Sequence, residues 1–388
     1  MTCVLLRARQ RCVNSYAVLS LTSRPIGHPA TVNRPLALAV AIVTTAFLAG
    51  AAASAAAPAR SLESPNALEL SATTGWIRDS ALPNRSRRLS VALGAAAWGG
   101  RYPTGSGEDV RIYVSDRYPP DPATTQRWAS FLGGLLHGRE LGQLTVYLAP
   151  LAEVQSICGA EASACYSSER SLLVAPGEDL PDGTSAEAVI AHEYGHHMAA
   201  HRLNPPWAAV EWGTKRWASY LQVCAKARSG TLFPGAETYP NYRLNPGEAF
   251  AESYRVLNQR RAGVPEAPWD VVDQSLYPDE RALSLLQEDV VAPWQSNAVQ
   301  RLRGRGSRSY AVTAAYDGRL SVTLKASPKA RFSLVIARAD GARVAGARTR
   351  ARVTRATATA TVCGQRTFTI RVARTSRTGS YALTISRP

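Results

Sequence analysis

With 388 residues, 45% of them hydrophobic and 19% charged, the chain is long enough for two or three packed domains, which excludes wholesale disorder and a single very small domain. Only one stretch approaches membrane-spanning length, so a multi-span membrane protein is excluded as well. The net charge of +16 is unevenly spread: five Arg and no acid over 1–57, a net −6 over 58–300, and a net +17 over 301–388, where 19 basic residues meet 2 acidic ones. A tail of that sign favours an anionic partner such as a cell-surface polymer, and no nucleic-acid motif accompanies it.

From Leu36 to Ala57 the chain is uncharged and apolar, follows Arg24 and Arg34, and ends in small residues around Ala53-Ser54-Ala55. Residues 1–57 therefore read as a signal peptide with an extended N-terminal leader, or as an uncleaved anchor; both place the remainder outside the cytoplasm, secreted or at the cell surface. Residues 58–107, rich in Ala, Ser, Gly and Arg with weak periodicity, read as a linker or pro-segment. Strands are expected at Val110–Val114, Leu144–Leu148 and Ser171–Ala175, with a helical pattern over Asp121–Leu141. Helices dominate from there to about residue 295. Residues 301–388 carry six or seven short Val/Thr-rich alternating runs, the pattern of a small Arg-rich β-sandwich.

Beyond the leader remain Cys158, Cys165, Cys224 and Cys363, an even number that an oxidising compartment allows to pair. Three connectivities exist. The favoured one clips Cys158 to Cys165 and leaves Cys224 for Cys363, tying the tail to the central region.

The chemistry concentrates at His192-Glu193-Tyr194-Gly195-His196. Thr184, with Glu187 three residues on, forms a capping-box start, so the motif sits on a helix. At spacing i, i+4 both imidazoles project from one face and reach one metal ion, with Glu193 beside that face as a carboxylate near the metal-bound water. A third ligand is required. The extended motif that places a third His six residues past the second fails here, because Ala199 and Arg202 occupy its Gly and His positions and His201 falls one residue short. Glu248 and Glu252, one turn apart on a later helix that begins at Asn245-Pro246, are the alternative. A zinc-binding role for Glu248 stands beside a plain capping role, and for Glu252 an ion pair with Arg255 is the competing reading. His197 and His201 fall off the metal face.

The pair His192-Glu193-x-x-His196 and Glu248-Ala249-Phe250-Ala251-Glu252 resembles the gluzincin zinc peptidases, in particular the lethal-factor-like proteases. The resemblance spans about residues 165–258 and implies Glu248 as the third zinc ligand, Glu252 as the carboxylate that orients a ligand His, and Tyr242 as the oxyanion-stabilising Tyr. The Tyr242 spacing is one residue shorter than the family's, and Tyr239 is the other candidate. The implied fold is α+β: a zincin-like catalytic domain over 108–300, with a mixed sheet, an active-site helix and a helical C-terminal subdomain, followed by a small all-β sandwich of the kind found after secreted bacterial peptidases. The implied cofactor is one Zn2+ per chain and the implied substrate a peptide or protein, which would pair with the strand at Leu172–Ala175 if that strand is an edge. The competing expectation is an exported cell-surface or wall-binding protein with a structural or inactive zinc site.

Overall fold

Short apolar runs separated by turn residues assemble a six-stranded mixed sheet. The computed structural model describes residues 76–78, 97–376 and 378–388; the expected signal peptide and most of the expected linker lie outside the described residues. Strands β1 (Trp76–Arg78), β2 (Ala97–Pro103), β3 (Asp109–Ser115), β4 (Thr145–Ala149), β5 (Cys165–Ser167) and β6 (Leu172–Pro176) lie in the order β1-β5-β6-β4-β3-β2. Neighbours β3, β4 and β6 are parallel, whereas β1, β2 and β5 pair antiparallel. Both outermost strands come from the stretch where the sequence predicts a linker or pro-segment; β2 pairs with β3 over its whole length.

The expectation that Leu172–Ala175 offers a free edge is corrected. Its residues pair with β4 on one side and β5 on the other, and all five of β6 are buried. A continuous apolar run is the signature of a strand covered on both faces. Helices α1 (Pro122–Gly134), α2 (Leu151–Cys158) and α3 (Ala186–Ala200) supply that cover. Ile112, Val114, Val146, Leu148 and Leu173 face the larger apolar core with α1 and α3, while Tyr113, Tyr147, Leu172 and Val174 face the smaller one with α2. The expected helix over Asp121–Leu141 is shorter, ending at Gly133-Gly134 and resuming as a 3₁₀ turn at Arg139–Gln143.

A ribbon of β7 (Leu203–Asn204) and β8 (Trp207–Ala208) leads into short helices α4 (Ala209–Trp212), α5 (Lys215–Tyr220) and α6 (Val223–Arg228), then α7 (Pro246–Ala262) and α8 (Glu280–Val291). Helix α7 starts as its sequence predicts: Asn245 accepts from the Gly247 amide at 2.9 Å, Pro246 occupies the first turn, and Gly263 closes the helix in the left-handed conformation. None of the helices among the described residues is long and apolar enough to cross a membrane.

The tail forms strands at Ala298–Arg305 (β9), Arg308–Thr313 (β10), Gly318–Ala326 (β11), Arg331–Arg338 (β12), Arg343–Arg348 (β13), Arg355–Val362 (β14), Thr367–Ser376 (β15) and Ser380–Arg387 (β16). They make two antiparallel sheets, β10-β15-β12-β13 and β14-β11-β16-β9, whose inward residues, among them Val322, Leu324, Phe332, Ile370 and Ile385, share a separate core. The architecture is therefore mixed α and β with a C-terminal sandwich-like region.

Both expected disulfides are present. Cys158–Cys165 joins the end of α2 to β5, and Cys224–Cys363 ties α6 to the turn after β14. With its cysteines separated by 139 positions in the sequence, the second contributes about 5 kcal/mol in the chain-entropy account. Beside it, Arg366 bridges the Asp317 carboxylate at 3.0 Å and the Ser219 carbonyl at 2.9 Å, and the Ser219 hydroxyl accepts from the Asp317 amide. Lys215 is buried in the same seam, donating to the Pro205 carbonyl at 3.0 Å and lying 4.7 Å over the Trp294 ring.

Candidate metal centre

Helix α3 follows β6 and is buried along almost its whole length, so its polar side chains need partners inside the protein. Its first turn is closed by Ser185, whose hydroxyl accepts from the Ala188 amide at 3.2 Å; the expected capping residue, Thr184, lies one position outside. On one side of the helix, His197 receives a hydrogen bond from the Tyr166 hydroxyl at Nδ1 and donates from Nε2 to the Glu140 carbonyl, each at 2.9 Å. Burial, reinforced by the nearby His201, pushes the His197 imidazole down to about 3, so it is a neutral structural tie between helix and sheet. This agrees with its expected place off the metal face.

On another side α3 crosses α7 at very close range. A Cβ added at Gly195 would fall 2.7 Å from the Ala251 Cα and 3.0 Å from its carbonyl oxygen. Only glycine permits that approach. One turn from the crossing, the Nε2 atoms of His192 and His196 lie 3.2 Å apart, and the Glu248 Oε2 lies 3.2 Å from the latter and 3.4 Å from the former. The three residues are 2%, 1% and 1% exposed in that order.

These edges agree with the donor set of a tetrahedral ion. Ligands about 2.0–2.1 Å from a common centre at the tetrahedral angle stand about 3.3 Å apart. The donors fit too. The His192 Nδ1–H faces Glu252 Oε1 at 2.8 Å, which leaves the Nε2 lone pair directed at the other two ligands. Against the penalty of complete burial, the facing His196 and His192 rings, when protonated, hold Glu248 well below the usual carboxylate range. His192, His196 and Glu248 thus form a buried group that could hold a metal ion.

Glu252 stands between two of the residues named with it in the sequence. It meets the His192 ring and also pairs with the Arg255 guanidinium, which donates from Nε at 3.1 Å and from Nη2 to the second oxygen. Despite burial, His192 and Arg255 together keep this carboxyl below its ordinary range. Arg255 is itself fixed by Gln259 at 2.7 Å and by the Ala267 and Pro268 carbonyls, each at 3.1 Å. That anchor was not foreseen, because the loop supplying it has no sequence signature. The Gly195 crossing did leave a signal, since a helix-interior glycine costs about 1 kcal/mol and points to a packing reason.

Tyr242, in the 3₁₀ turn before α7, is buried and donates to Glu248 Oε2 at 3.3 Å, whereas Tyr239 is 57% exposed. A cleft of about 290 Å³ has both tyrosines in its wall, together with His192, Glu252, Asp182 and Asp270. Glu193 is fully buried on α3 next to His192 and is not in that wall, nor are His196 and Glu248.

No protein-family profile matches the chain, and no curated protein does. Among solved structures it is similar to the Yersinia pseudotuberculosis-derived mitogen, at 13% identity over 24% of this chain and 87% of that one, with a TM-score of 0.18. It is similar to Aeromonas hydrophila PliG, a periplasmic inhibitor of g-type lysozyme, at 13% identity over 24% and 86%, with the same TM-score of 0.18. A GH115 4-O-methyl-alpha-glucuronidase, BtGH115A, matches at 9% identity over 52% of this chain and 37% of that one, again with a TM-score of 0.18. Likenesses at that level carry no functional weight, and the His192, His196 and Glu248 group stands on its own geometry.

Proposed function

We propose that the protein is an exported zinc-dependent peptidase whose centre is His192, His196 and Glu248. The observation that carries this reading is the ligand triangle with edges of 3.2, 3.2 and 3.4 Å, one of its rings backed by a carboxylate. Held by these three ligands, zinc would supply a Lewis acid that makes a water more acidic and polarises the scissile carbonyl. Glu252, held by Arg255, fixes the His192 ring so that its Nε2 stays a donor of electrons. Glu193 takes a proton from the attacking water as its oxygen adds to the carbonyl carbon, and returns it to the amine nitrogen when the C–N bond breaks. Tyr242 donates its hydroxyl hydrogen to the carbonyl oxygen as negative charge grows there. The cleft walled by His192 and Tyr242 admits the peptide. Two disulfides accord with action outside the cytoplasm.

A second reading has its own observation. All three ligands are at most 2% exposed, and Glu193 is outside the cleft wall, as expected for a closed structural site in a cell-surface binding protein. The two readings separate in one experiment: peptide-library cleavage by the full chain and by Glu193→Gln, with and without chelator, alongside zinc content. The peptidase reading predicts cleavage by the wild type, its loss on chelation, and its loss in Glu193→Gln with one zinc per chain retained. Cleavage undiminished in that variant defeats the mechanism, and a wild type that binds zinc without cleaving supports the structural site.

A further inference from the structure

The outward face of the β14-β11-β16-β9 sheet carries six exposed basic residues. Registration across the four strands brings Arg303, Ala382, Lys325 and Arg355 into one row, and Arg301, Thr384, Thr323 and Thr357 into the next. Arg305 lies beyond the first row on β9, and Arg319 at the far end on β11. These six basic residues are exposed, and none has an ion-pair partner among the described residues. The outward positions between them are almost all Ser or Thr, and no carboxylate or aromatic side chain occurs on the face.

Two features separate this pattern from ordinary surface charge. Charged residues on an edge strand guard against sheet-to-sheet pairing, and β9 is an edge, but Lys325 and Arg319 sit on the interior strand β11, where no edge needs guarding. Lys325 also faces Arg355 directly across the ladder, a like-charge pair that disfavours folding by itself and that an anion between the two would relieve. Along β9, Arg301, Arg303 and Arg305 recur about every 7 Å, and Lys325 and Arg355 stand two and three strands away beyond β16, which carries no cation on this face, so a row of cations with a pair beside it suits a chain of regularly spaced anions. Arginine forks match phosphate oxygens in pairs, and the intervening hydroxyls suit a polyol. Bases of single-stranded nucleic acid would find no aromatic platform here.

We infer that this face docks a linear cell-surface polyanion built of phosphodiester-linked polyol repeats, holding the protein at that surface. The inference is independent of the peptidase reading, because no residue of the metal centre takes part.

The test measures binding of the full chain to poly(glycerol phosphate), to neutral dextran and to duplex DNA across a salt series. Two triple variants each remove three positive charges: R301Q/R303Q/R305Q on this face, and R343Q/R348Q/R371Q on exposed positions of the opposite sheet. All replaced residues are solvent-exposed, and the pair K325Q/R355Q, which removes a repulsion, gives a second variant expected to fold at least as well as the wild type. The expected result is salt-sensitive binding to poly(glycerol phosphate) alone, weakened about tenfold or more by the first triple and by the pair, with a shallower salt slope, and less than about twofold by the second triple. Equal loss in the two triples would reduce the effect to net charge and overturn the inference. So would tighter binding to DNA, or no binding to the polymer.

Discussion

Replacing Gly195 by Ala puts the close crossing of α3 and α7 to the test, because two effects of opposite sign compete. In an isolated helix the change favours the helix by about 1 kcal/mol, since alanine restricts the unfolded chain and is the better helix former. At the crossing, the new methyl would lie 2.7 Å from the Ala251 Cα, 3.0 Å from its carbonyl oxygen and 3.2 Å from its Cβ. These atoms are backbone or close to it and cannot swing aside, so the helices must separate by several tenths of an ångström. Overpacking of this kind costs about 1–3 kcal/mol, and a contact with backbone falls in the upper part of that range. The net expectation is a loss of about 1–2 kcal/mol. Because His192 and His196 belong to one helix and Glu248 to the other, the same separation stretches two edges of the ligand triangle, and zinc affinity should fall about 10–100-fold, as when a ligand's support is removed. Urea unfolding of the metal-free protein gives the first quantity, and competition with a chromophoric chelator the second. A variant that is about 1 kcal/mol more stable, with unaltered zinc affinity, would refute the crossing as the device that sets the site.

Glu252→Gln should weaken zinc binding about 10–100-fold, because the His192 ring loses its charged anchor, and should also destabilise the fold by leaving Arg255 buried without its anion. Zinc affinity equal to wild type would remove Glu252 from the site. Burial pulls the Lys215 amine from its ordinary 10.5 down to about 8, so between those values the unfolded chain binds more protons than the native one and stability rises with pH. The rise amounts to about 3 kcal/mol across that window relative to Lys215→Met, measured by denaturant midpoints. Parallel pH profiles for the two proteins would contradict the buried amine.

Local regularities were legible in the sequence and long-range ones were not. The spacing of His192 and His196, the Asn245-Pro246 helix start and the turn between Glu248 and Glu252 are properties of single helices, and each appears where the residues place it. Of the three possible cysteine pairings, the one favoured for the short loop between Cys158 and Cys165 is the one present. Leu172–Ala175 was legible as a strand, but its inner place in the sheet was not, since an inner and an edge strand differ in partners distant along the chain. Ala97–Pro103 joins the sheet with little apolar content because it lies at the margin, and β9 and β13 were obscured by the arginines of their outward faces. The Ser185 cap differs from the expected Thr184 by one position, since adjacent hydroxyl residues offer the backbone nearly the same bond. Arg255 was visible as a partner of Glu252, but its own anchors at Ala267 and Pro268 depend on the path of a loop.

The claim on which the functional reading depends is that His192, His196 and Glu248 together hold one divalent ion with a position left open. Zinc-edge X-ray absorption on the protein loaded with one equivalent tests it directly. The expected first shell is four light atoms at about 2.0–2.1 Å, two of them imidazole nitrogens, with one light atom exchanged on adding a small anionic inhibitor and with the shell lost in Glu248→Ala. A sulfur scatterer at about 2.3 Å, a six-oxygen shell, or a shell unaffected by Glu248→Ala would contradict it.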